Sequence, residues 1–82
     1  MELKIFTPEK IVFQGEADSV SLPTPGGIIT VLSRHTSLVT PLSAGEVRIV
    51  SKEGTKAFLG EGGVFEISKN KAVLLLRSYR EG

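Results

Sequence analysis

No window of about 11 residues or more in this chain combines a helical apolar pattern with freedom from glycine and proline. What recurs instead is short two-residue alternation, broken by Gly, Pro, Asn or Ser at intervals of about six to twelve positions. Such a chain is expected to be all-β, a sandwich or barrel of short strands.

The first strand is expected at residues 2–6, with Leu3 and Ile5 on one face, and Thr7-Pro8-Glu9 ends it. Ile11–Phe13 forms the next, closed by Gln14-Gly15. Val20 and Leu22 point inward from a strand at 16–22. If that inner set reaches back to Asp18, the carboxylate needs a partner or a strand-end position. A loop is expected at Pro23–Gly27, a strand at Ile28–Leu32 and a polar corner at Ser33–Ser37. Breaks follow at Thr40-Pro41 and Ser43-Ala44-Gly45. Strands at 46–51 and 55–59 flank a hairpin turn at Lys52-Glu53-Gly54. Gly60, Gly62 and Gly63 read as a tight turn, and a strand at 64–68 returns through Lys69-Asn70. The run Ala72–Leu76 is apolar throughout, which fits a strand buried on both faces, and Tyr79–Gly82 reads as a tail. One domain, residues 1–82, is expected.

Composition removes several classes of function. There is no cysteine, hence no disulfide and no thiolate metal site. The net charge is +1, and neither a nucleic-acid surface nor an anionic membrane follows from it. No apolar run approaches the roughly 20 residues that cross a bilayer. The opening MELKIF lacks the basic start and apolar core of a signal peptide, so a cytosolic chain is expected.

Reactive chemistry is sparse. The single histidine, His35, has no carboxylates at ligand spacing, and no G-x-S-x-G elbow marks a nucleophile. The glycine clusters lack the following helix that a phosphate cradle requires. Glu61 and Glu66 straddle a turn and read as a solvated rim. No catalytic residue, metal site or cofactor is expected. A domain of this kind acts through its surfaces, and the stretch from Leu22 to Leu38, LPTPGGIITVLSRHTSL, is the expected specificity element.

The segments TPEKIVFQGEADSVSLPT, VLSRHTSLVTPLSAGEVRI and GGVFEI, followed by an apolar strand, occur in an order and spacing that carry a resemblance. The chain resembles the amino-terminal domain of the epsilon subunit of F-type rotary ATP synthases, over nearly its whole length. The resemblance implies a flattened β-sandwich of about ten short strands. It implies a non-catalytic subunit of the central stalk, at the cytoplasmic face of the membrane without inserting into it. There it would contact the gamma subunit and the polar loops of the c-ring, coupling ion-driven rotation to ATP synthesis.

Matching positions assign Thr7, His35, Thr40, Glu61, Glu66 and Val73 to the gamma interface, and Gly27, Ile28 and Ile29 to the c-ring. The chain departs from the family pattern at Thr30, Ser33 and Ser37, where Gly, Pro and Pro are usual, and an acidic residue usual near Ile28 is absent. Ile28-Ile29 would therefore meet the ring through apolar contact. Family members usually continue into a helical pair. A chain ending at Gly82 is expected to lack that brake and its nucleotide site. The same departures leave open a stand-alone β-sandwich adaptor.

Overall fold

The structure, a computed structural model, describes residues 1–81. Eight strands and no helix are found there: β1 (Glu2–Phe6), β2 (Ile11–Glu16), β3 (Ser19–Thr24), β4 (Gly27–Leu32), β5 (Leu38–Ser51), β6 (Gly54–Ser68), β7 (Lys71–Leu76) and β8 (Tyr79–Glu81). The expected all-β class holds, but the strands number eight rather than about ten.

The difference lies in β5 and β6, which are 14 and 15 residues long. They run straight through the breaks expected at Thr40-Pro41, Ser43–Gly45 and Gly60–Gly63. Their antiparallel register holds from Leu38 opposite Ile67 to Ser51 opposite Gly54, interrupted only at Ser43 and Gly62. At that interruption the buried side changes. Leu42 faces the core before it, and Val47 and Ile49 after it. On β6, Phe58 and Gly60 give way to Phe65 and Ile67. The glycines thus mark a kink at which the two-stranded ribbon rolls over, not a turn that ends a strand.

The ribbon belongs to both layers of a sandwich. One layer runs β2–β1–β7, then the second half of β6 and the first half of β5. The other runs β8, the first half of β6, the second half of β5, β3 and β4. Counted by layer, β5 and β6 each appear twice, and ten segments are recovered. The molecule measures 27 × 26 × 21 Å, slightly flattened.

Alternation supplies the core. Leu3, Ile5, Phe65, Ile67, Leu74 and Leu76 point in from the first layer. Val20, Leu22, Val31, Val47, Ile49 and Phe58 point in from the second. Each side chain of this size contributes about 1.5–3 kcal/mol when fully buried. No buried side-chain nitrogen or oxygen among the described residues lacks a hydrogen bond. At the rim, the α-amino group of Met1 donates to the carbonyl of Ala17 and the hydroxyl of Ser33, both at 2.7 Å. Asp18 is exposed at the strand end, so its carboxylate needs no buried partner.

Three further expectations change. The Pro23–Gly27 loop shrinks to a two-residue turn, Pro25-Gly26, because Pro23 and Thr24 continue β3. Pro23 lies past the residues that β5 pairs with, so its missing donor breaks no bond on that side. The tail contains a strand: β8 pairs with Phe58–Gly60, and Tyr79 packs edge-on against Phe58 with ring centroids 5.7 Å apart. Finally, β7 is buried on one face only. Ala72, Leu74 and Leu76 point inward, while Val73 remains 40% exposed.

Candidate partner-binding surface

The outer face of the first layer explains why β7 is apolar at every position from Ala72 to Leu76. Its strands stack side chains into rows across the sheet. One row runs Val39, Glu66, Val73, Lys4 and Gln14, each directly opposite the next. The neighbouring row runs Pro41, Val64, Leu75, Phe6 and Ile11. Every one of these residues is exposed or half-buried, and Val39 is 65% exposed. The ammonium of Lys4 stands 5.4 Å from the centre of the Phe6 ring, a cation–π contact within the patch.

On the other side of the first row lies a charged border: Ser68, Lys71, Glu2 and Glu16. An exposed apolar centre with a charged border has the anatomy of a protein–protein interface. The outer face of the second layer also exposes Ile28, Leu32, Val50 and Leu59, but a row between them divides these apolar residues. That row, Thr30, Ser21, Arg48 and Ala57, is mostly polar. Arg48 pairs there with Glu46 at 2.9 Å, an exposed ion pair that adds little stability.

The β3–β4 hairpin ends in an uncharged tip. The hydroxyl of Thr24 donates to the carbonyl of Gly27 at 2.6 Å, closing the turn. Gly27 has φ of 123°, a backbone shape that favours glycine. Ile28 is 79% exposed on the outer face, whereas Ile29 turns inward and packs against the core.

Among the described residues, no three His, Asp or Glu side chains gather closely enough to hold a metal. An open hollow of about 530 Å³ is lined by Thr7, Glu9, Lys10, Ser78 and Tyr79. Residues 1–81 match the family described as ATP synthase, Delta/Epsilon chain, beta-sandwich domain.

The chain belongs to this family.

Its relatives agree. It is 51% identical over 69 residues to the ATP synthase epsilon chain of Endomicrobium trichonymphae, covering 84% of this chain and 50% of that one. It is 41% identical to the epsilon chain of Chlorobium limicola, covering 90% of this chain and 85% of that one. The chain thus spans half the length of the first relative and most of the second. The fold matches a chain in the Tetrahymena thermophila mitochondrial ATP synthase central stalk and c-ring structure with a TM-score of 0.86. That match has 17% identity and covers 99% of this chain and 66% of the other. A chain of the Euglena gracilis mitochondrial ATP synthase matches with a TM-score of 0.92 at 15% identity, covering 99% of this chain and 52% of that one.

Within this delta/epsilon domain, the residues assigned to gamma lie along the first layer or beyond its ends, apart from Glu61. Glu66 and Val73 are direct cross-strand neighbours in the exposed row. Thr40 is half-buried on the adjoining strand, and its hydroxyl donates to the carbonyl of Pro41. His35 lies beyond one end of the layer, exposed, with Nδ1 2.7 Å from the carbonyl of Thr36. Thr7 lies at the other end, and Glu61 sits just across the kink, on the second-layer half of β6. Glu61 accepts a hydrogen bond from the Ser78 hydroxyl. Thr7 is buried, and its hydroxyl accepts from the amides of Glu9 and Lys10, both at 3.2 Å. Its side chain is occupied in shaping the β1–β2 turn.

Sequence reasoning set Lys4 on the outer face of its strand but missed Phe6, Ile11, Val39, Val64 and Leu75 as surface residues beside it. The signal was present in β7: apolar residues at both parities also arise when one face meets the core and the other meets a partner.

Proposed function

We propose that this chain is a non-catalytic epsilon-type subunit in the central stalk of an F-type ATP synthase. The outer face of the first layer seats on the gamma subunit, and the tip of the β3–β4 hairpin touches the polar loops of the c-ring. Held at both places, the domain turns with the rotor and transmits torque between ring and shaft. Its place is peripheral, at the cytoplasmic face of the membrane, held by its partners. No helix among the described residues is long and apolar enough to cross a membrane.

The observation that carries this reading is the exposed double row centred on Val64, Val73, Leu75 and Phe6, an apolar surface that is costly to leave in water. Residues Glu66 and Val73 lie within it. Ile28, rather than Ile29, presents the apolar contact at the tip. The test is co-purification of the chain with the gamma subunit and c-ring encoded with it. A stable complex with gamma is expected, and failure to associate with gamma at any salt concentration overturns the reading.

A further inference from the structure

The sandwich has several open strand edges, and they are not equally protected. The β2 edge is irregular opposite β1 and ends in Glu16. The free edge of the β5 first half carries Pro41. Strand β8 is three residues long and carries Arg80. Short length, proline, charge and irregularity are the devices that keep an edge from pairing with another chain.

Strand β4 has none of them. Its sequence, GIITVL, has no charge and no proline, and it pairs with β3 in unbroken register. It ends the sheet, so among the described residues one side of its backbone has no strand partner. The whole stretch from Ser19 to Ser33 is without charge. Its outward side chains are Ile28, Thr30 and Leu32, of which Ile28 is 79% and Leu32 59% exposed.

This pattern is complementary to itself. When two β4 strands run antiparallel with Thr30 opposite Thr30, each Ile28 faces the Leu32 of the other copy. On the inner side Ile29 then faces Val31. No like charges meet, and both large exposed aliphatics are covered. A two-fold axis through Thr30 closes the assembly at two chains. We infer that β4 is a self-recognition edge, through which two copies of this chain outside the stalk, where Ile28 is not held against a ring, join their second layers into one continuous sheet. The contact is small, so the dimer is weak and forms at high protein concentration.

The absence of cysteine makes the register directly testable. In the Thr30→Cys variant, the two cysteines face each other at the roughly 4.5–5.5 Å Cα spacing of antiparallel pairs, within disulfide reach. In the Ile28→Cys variant they lie four positions out of register, roughly 13 Å apart along the strand and out of reach. Sedimentation of the unmodified chain should show dimer growing with concentration up to about 1 mM. Thr30→Cys should oxidise to a covalent dimer and Ile28→Cys should not. Thr30→Lys, which sets two ammonium groups face to face, should weaken association roughly tenfold. A chain that stays monomeric throughout, or equal cross-linking of the two cysteine variants, overturns the inference. If Thr30→Lys leaves self-association unchanged but weakens gamma binding, the edge belongs to gamma and the inference also falls. The measurement needs no stalk partner, so its failure is separate from failure of the stalk reading.

Discussion

A β-carbon placed on Gly63 would lie 1.9 Å from the carbonyl oxygen of Leu75. That oxygen belongs to the backbone of β7, which is hydrogen-bonded between β1 and β6 and has nowhere to retreat. Close approach of two backbones therefore fixes glycine at the ribbon kink. Gly63→Ala should cost about 3 kcal/mol or more, measured by urea unfolding. Gly54→Ala is the comparison. It also has positive φ, at 120°, but among the described residues outside its chain neighbours nothing lies within 4 Å of an added β-carbon. It should cost only the backbone strain, about 1–2 kcal/mol.

Thr7 offers a separation of structure from binding. Thr7→Val keeps the shape and removes the oxygen that accepts from Glu9 and Lys10. A loss of about 1–2 kcal/mol in unfolding free energy is expected, with Thr7→Ser recovering most of it. Gamma binding by the folded fraction should stay unchanged. A large loss of affinity at unchanged stability would place Thr7 in the interface after all.

On the exposed row the pattern should reverse. Val73→Asp puts a carboxylate opposite Glu66 and Lys4 on the outer face of β7, so unfolding should shift by about 1 kcal/mol, less than for a core change. If gamma covers this row, the buried carboxylate should cut affinity at least roughly thirtyfold, about 2 kcal/mol. Titration calorimetry of the two proteins reads this directly. Arg48→Glu, on the opposite outer face, should leave gamma affinity within about twofold.

Leu74 shares β7 with Val73 and points the other way, fully buried. Leu74→Ala should cost about 2–5 kcal/mol. A domain of this size has a total stability of roughly 4–12 kcal/mol, so the variant should lose a large share of it and melt at a clearly lower temperature. Circular dichroism and thermal melting distinguish the outcome from that of Val73→Asp.

Much of the fold was legible because alternation reports which face is buried. Leu3 and Ile5, Val20 and Leu22, and Val47 and Ile49 all point inward as the pattern requires. The Lys69-Asn70 turn was equally legible, and both residues take positive φ, at 52° and 62°, as a tight hairpin demands. The kink was not. Glycines that end a strand and glycines that bend one look alike until the register across Ser43 and Gly62 is known. Tyr79–Gly82 was read as a tail because so few residues hold too little pattern, yet the Tyr79–Phe58 contact anchors β8. The exposed rows were hidden for a different reason: periodicity assumes that apolar means buried within the chain itself.

Strand β1 lies parallel to β7, with Glu2 opposite Lys71 and Phe6 opposite Leu75. During synthesis the first strand therefore emerges with only β2 to hold it and must wait for the seventh. The β5–β6 ribbon can close early on its own local contacts, but the first layer stays split until β7 is released from the ribosome. Completion of the sheet is thus a late, long-range closure, and the nascent chain carries Leu3 and Ile5 uncovered until then.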